Sequence, residues 1–165
     1  MNKIWLDDMR PAPEGYLWVK DYDEAIAAWE KYGTPEVASL DHDLWGWTAY
    51  VPGVKEYSGY DFTRWLCGDN PADEDSGRWP TLQLSIHTDR TDGRENIARL
   101  IEAYGPYDTR ETYERTYSSW KESGYQGNLV NVYGYIYYTK DAPKDPKVQT
   151  TDSLGEYFGG YYFDW

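Results

Sequence analysis

Short apolar runs that stop at charged residues recur along the first hundred positions of the chain. Lys3-Ile4-Trp5-Leu6 runs into Asp7-Asp8, Val37-Ala38-Ser39-Leu40 into Asp41-His42-Asp43, and Leu82-Gln83-Leu84-Ser85-Ile86 into His87-Thr88. Runs of this length, bounded by turn formers, predict buried strands, and residues 16–20 predict a fourth. Between them the period lengthens. Ala25, Ile26, Trp29 and Tyr32 follow helical spacing behind an Asp21 or Asp23 cap, and Gly33 ends that helix. Ser58 with Asp61 predicts the capped start of a helix through Phe62, Trp65 and Leu66 that ends near Gly68. Ile97, Leu100 and Ile101 share one side of a helix over 94–104, which Gly105-Pro106 terminates. Residues 9–13, 70–77 and 89–93 read as loops.

This strand, strand-helix, strand-helix, strand-helix order predicts an α/β fold with a mostly parallel sheet and flanking helices. Residues 1–106 form the expected α/β domain, and residues 107–165 read as a Tyr/Trp-rich extension packed on it. In the extension a polar, Tyr-bearing helix is expected over 108–122, a strand over 128–139 and a loop over 141–147. Val130, Val132, Gly134, Ile136 and Tyr138 share one face of that strand, and Asn131, Tyr133, Tyr135 and Tyr137 the other. Neither face is polar enough to lie open to water, so a hairpin or sheet extension is expected.

Composition narrows the function. A chain of 165 residues suits one domain with an extension, and its formal net charge of -13 argues against gripping nucleic-acid backbone over a broad surface. A nucleotide in a local pocket is compatible with that charge. The single Cys67 cannot form an intramolecular disulfide, Asp7-Asp8 interrupt any leader-like apolar run, and no stretch has the length of a membrane span. A cytoplasmic protein with no membrane association is therefore expected. The 9 Trp, 18 Tyr and 3 Phe suit cores, interfaces and base stacking alike. Trp45, Trp47 and Tyr50 fall in a loop expected to border the site, where they would stack on a base or pack against the extension. The aromatic extension is also a candidate surface for a protein partner or a second copy of the chain.

In open parallel sheets the ligand crevice lies at the C-terminal strand tips. If the three acid-terminated strands are neighbours, Asp7, Asp8, Asp41, Asp43 and both histidines converge there. Asp7, Asp8 and Asp41 offer the hard oxygen ligands that Mg²⁺ or Mn²⁺ prefers. A single Asp at a strand end is more often solvated or a helix cap, but three at matching positions favour a functional cluster. His42 and His87 are the residue type suited to proton transfer to and from a phosphodiester, with Asp43 to orient an imidazole; a lone histidine after a strand is more often structural. Arg10 and Arg94 offer planar forks for phosphate oxygens, Arg94 near a helix N-terminus, and Thr88 adds a hydroxyl. Arg90 reads as a surface ion pair.

Leu6-Asp7-Asp8-Met9-Arg10-Pro11, Ser39-Leu40-Asp41-His42-Asp43-Leu44, Ser58-Gly59-Tyr60-Asp61, and His87-Thr88 followed by Gly93-Arg94 together resemble the cyclic-phosphate processing receiver domains over residues 2–104. The resemblance implies a receiver-like fold. It makes Asp7 and Asp8 similar to the receiver acid pair and Asp41 to the phosphoacceptor position. Arg10, His42, Asp43, His87, Thr88 and Arg94 match the motif residues of the cyclic-phosphate branch. Asp89-Arg90 depart from that branch, and no candidate stands for the Lys that ends the fifth strand of ordinary receivers. Two functions follow as expectations. One is a phosphoesterase acting on a cyclic phosphate of a nucleotide or RNA end: His42, His87 and Asp43 would be catalytic, Arg10, Thr88 and Arg94 would bind substrate, and Asp7, Asp8 and Asp41 would hold a divalent cation. The other is a non-catalytic module that sequesters a cyclic nucleotide or binds a partner protein.

Overall fold

A computed structural model of the chain describes residues 2–44, 57–88, 90–116 and 131–143. Strands β1 (Lys3–Leu6) and β2 (Leu17–Val19) precede helix α1 (Tyr22–Tyr32), strand β3 (Val37–Leu40) and helix α2 (Gly59–Leu66). A 3₁₀ turn at Glu74–Ser76 leads to β4 (Gln83–Thr88), α3 (Thr91–Tyr104), β5 (Thr109–Thr116) and β6 (Asn131–Tyr138). The six strands form one sheet in the order β2-β1-β3-β4-β6-β5. β1 to β4 run parallel, and β6 pairs antiparallel with both β4 and β5. The expected α/β architecture with a mostly parallel sheet is what the chain forms.

Local chemistry explains the helix ends. The Asp21 carboxylate accepts the Glu24 backbone N–H at 2.8 Å, which makes Asp21 the cap of α1. Ser58 and Asp61 form a reciprocal capping box at the start of α2. Helix α3 begins at Thr91, not Arg94, because Gly93 lies in its first turn rather than in a turn before it. Its reason for being glycine is contact with the site.

Both crossovers, β2-α1-β3 and β3-α2-β4, travel the same way across the sheet, so right-handed connections place their helices on one face. There α1 packs on α2 and α2 on α3. Ile4, Leu6, Ala38, Leu40, Leu84, Ile86, Tyr135 and Tyr137 join Ala25, Trp29, Phe62, Leu66, Ile97 and Ile101 in one apolar core. The alternate strand residues, Trp5, Ser39, Ser85 and His87, point to the opposite face and are equally buried. Among the described residues no helix is long and apolar enough to cross a membrane.

The helix expected over 108–122 is not formed at its start: residues 109–116 are strand β5. Its first residues alternate with period two, Arg110 and Thr112 exposed and Tyr113 buried, a strand pattern that the polar composition obscured. The strand expected over 128–139 is seen from Asn131; its first three positions lie outside the described residues. Gly134 to Tyr138 are all buried, as expected of a strand covered on both faces. Pairing with β4 makes β6 part of the main sheet, and Tyr107 secures the approach by donating to the Pro80 carbonyl at 2.8 Å.

Tyr113 lies across from Gly134, and its hydroxyl donates to the Ile86 carbonyl at 2.6 Å. A Cβ on Gly134 would collide with that ring and with the same carbonyl. Gly134→Ala is expected to destabilise the fold by about 1–3 kcal/mol through overpacking, and Tyr113→Phe by about 1 kcal/mol through the lost hydrogen bond. Urea unfolding midpoints of the two variants check both values.

Candidate functional site

The strand register builds the site. Leu6 pairs with Leu40 and Leu40 with Ile86, so the next residues, Asp7, Asp41 and His87, form a row across β1, β3 and β4. Asp7 is buried and held from several sides. Its Oδ1 accepts the backbone N–H groups of Met9 at 2.8 Å and Arg10 at 2.7 Å, and its Oδ2 lies 3.0 Å from His87 Nε2. The loop after β1 is thereby folded over the acid that starts it.

Arg10 is buried as well, with Nη1 at 3.7 Å from Asp7 Oδ2 and 3.8 Å from Asp41 Oδ1. Those distances describe a counter-charge shared by two acids rather than short hydrogen bonds. Asp41 Oδ1 accepts the His42 backbone N–H at 2.8 Å. Burial, then the neighbouring Asp7 carboxylate, pushes the Asp41 carboxyl well above its ordinary pKa; Arg10 pulls it down and Asp8 adds to the rise. Asp7, Asp8 and Asp41 each offer an oxygen within 4.8 Å of the others.

His42 stands beside this cluster, its Nδ1 2.8 Å from Asp43 Oδ1. The side chains are 12% and 33% exposed, so the pair reaches solvent mainly through Asp43, while the Asp41 side chain is 9% exposed. Arg90 Nη1 also donates to Asp43 Oδ1, at 3.1 Å, and the same guanidinium pairs with Asp92. Arg90 is thus the surface ion pair its sequence context predicts. Two glycines fix the His42 backbone and ring. The Gly59 N–H donates to the His42 carbonyl at 2.7 Å, and a Cβ there would strike the Asp41 carbonyl. A Cβ on Gly93 would come within 2.6 Å of the His42 ring.

The other candidates occupy different surroundings. His87 has no exposed surface: Trp5 stacks on it with ring centroids 3.8 Å apart, and its Nδ1 lies 2.7 Å from Ser39 Oγ. Thr88 is buried and accepts the Arg90 backbone N–H at 3.2 Å. Arg94 is buried with its guanidinium 5.4 Å from the Tyr135 ring centre and Nε 3.9 Å from Glu95. The structure therefore brings together Asp7, Asp8, Asp41, Arg10 and His87, with His42 and Asp43 adjoining, and packs Arg94 on Tyr135. Trp45, Trp47 and Tyr50 lie outside the described residues. Sequence reasoning passed over Ser39, Ser85 and Trp5. The usable signal was two serines at inward positions of otherwise apolar strands, since buried hydroxyls need partners.

A carboxyl whose pKa is raised by folding keeps its proton longer in the native state than in the unfolded chain. Its contribution to stability is fullest below the ordinary Asp pKa and is lost as pH rises through the folded value. Asp41→Asn, which keeps an acceptor for the His42 N–H, is therefore expected to melt a few degrees above wild type in chelator-treated neutral buffer. The gap should close toward about pH 3, where an ordinary carboxyl is protonated in both states. Melting curves across that range check it; a gap independent of pH would contradict the electrostatic cause.

A family model described as the cyclic-phosphate processing receiver domain matches residues 2–103. We find no curated protein and no solved structure that matches the chain. The matched span runs from β1 through nearly all of α3 and includes every residue of the row at the strand tips. The chain belongs to the cyclic-phosphate processing receiver domain family.

Proposed function

We propose that the protein is a phosphoesterase that opens a cyclic phosphate of a nucleotide or RNA end. The observation that carries this reading is the placement of Asp41-His42-Asp43 on consecutive residues at the tip of β3. One carboxylate joins the acid cluster of Asp7 and Asp8, while the next two residues form a solvent-reaching imidazole–carboxylate pair. Family membership supplies the substrate class.

In this reading His42 is the proton-transfer group. Asp43 accepts the Nδ1 proton, which leaves Nε2 as the basic nitrogen. Nε2 takes a proton from the attacking water as the water oxygen bonds to phosphorus. The bond from phosphorus to one ring oxygen breaks, and that oxygen takes up the proton His42 received. Asp43 stabilises the imidazolium between these events, and Arg90 holds Asp43 in place.

The donor set of Asp7, Asp8 and Asp41 fits a divalent cation such as Mg²⁺ or Mn²⁺: all donors are carboxylate oxygens, and a cation would offset the burial and the like-charge crowding that together raise Asp41. When bound, the cation would supply charge neutralisation for the phosphate oxygens. Arg10 balances part of the same acidic charge from inside the loop.

Incubation with 2′,3′-cyclic mononucleotides and cyclic dinucleotides, with and without Mg²⁺ or Mn²⁺, tests the reading by mass spectrometry. Wild type is expected to add one water per opened ring, and His42→Ala to lose about 10²–10⁴-fold in rate. Unchanged masses with ligand retained through desalting would instead support sequestration without turnover.

A further inference from the structure

We propose that His87 is a positioning residue that fixes the Asp7 carboxylate by donating to it from Nε2, within a buried chain running Ser85, Ser39, His87, Asp7. The inference rests on the reading of Asp7 as a cation ligand given above. It assigns the second histidine of the site a part other than acid–base chemistry with substrate.

Three observations carry it. First, the ring has no exposed surface and stacks on Trp5 at an interplanar angle of 9°, so it offers no open face at the strand tips. Second, the donor to Asp7 is fixed by chemistry. Asp7 Oδ2 as a carboxylate only accepts, so Nε2 at 3.0 Å carries the proton. The other ring nitrogen, Nδ1, lies 2.7 Å from Ser39 Oγ. Ser39 Oγ accepts from the Ser85 hydroxyl, also at 2.7 Å. Third, Ser39 and Ser85 are directly paired across β3 and β4 and lie 0% and 1% exposed, so the chain is built into the sheet.

The consequence for Asp7 is a fixed orientation. Met9 and Arg10 N–H groups set Oδ1, and His87 sets Oδ2, so the carboxylate cannot swing when the solvent or ligand changes. Partners that orient a metal-binding carboxylate in this way typically contribute about 10–100-fold to metal affinity.

The test compares wild type, His87→Ala and His87→Gln. The Gln amide nitrogen can stand where Nε2 does and donate to Asp7, but it cannot serve as an acid or base. Mn²⁺ binding by calorimetry is expected to weaken about 10–100-fold in His87→Ala and to recover most of that loss in His87→Gln, with melting curves to show that both variants are folded. Equal loss in both variants, or no loss in either, overturns the proposal. If His87→Ala does not fold, Ser39→Ala takes its place, with Mn²⁺ binding expected to weaken about tenfold and unchanged binding counting against the proposal. Independently of any metal, ¹⁵N-detected NMR of the wild-type ring is expected to show a proton at Nε2; a ring protonated at Nδ1 alone overturns it. Should wild type bind no Mn²⁺, the cation reading fails separately, and the ring's protonation still decides the role of His87.

Discussion

The contact between His87 and Asp7 is the constraint on which the rest of the site depends. It joins the end of β1 to the end of β4 across the intervening strand β3, and so adds a side-chain tie between two strands that are not neighbours in the sheet. Trp5 belongs to the same unit. Its ring stacks on His87 while its Nε1 donates to the Arg10 carbonyl at 3.0 Å, which holds the loop that carries Arg10 back over the acids. That fold of the loop is what stands the Arg10 guanidinium between Asp7 and Asp41.

The sheet divides labour between its faces. The helix-bearing face is apolar and supplies the burial that stabilises the domain. The opposite face holds an equally buried but polar arrangement of Ser39, Ser85 and His87, satisfied internally. A satisfied polar network specifies one geometry rather than adding much stability, because moving one member breaks the hydrogen bonds of its neighbours. Such specificity suits the row of Asp7, Asp41 and His87, where a small rotation of one carboxylate would change the separation of like charges.

Much of this was legible in the sequence. Strand ends, helix caps and the convergence of Asp7, Asp8 and Asp41 follow from local patterns, because parallel neighbours in register place equivalent positions side by side. The burial of His87 was not legible. A histidine after an apolar run reads as standing at a strand tip, and only the pairing of His87 with Gly134 places it inside β4. The same limit hid β5, whose polar residues mimic a solvent-facing helix until the partner strand is known. Arg94 likewise reads as an anion ligand from its place near a helix start, whereas its packing on Tyr135 depends on a strand some forty residues later.

The glycines at 59 and 93 set a limit on how such a chain can drift. A protein with a surplus of thirteen negative charges can exchange many surface acids without disturbing the row at the strand tips. It has far less freedom where two helix starts approach Asp41 and His42 closely enough to leave no space for one more carbon. In a lineage of such proteins, the positions most resistant to change would therefore include two that carry no chemistry of their own. Their place in the molecule is a clearance, set by the Asp41 carbonyl and the His42 ring.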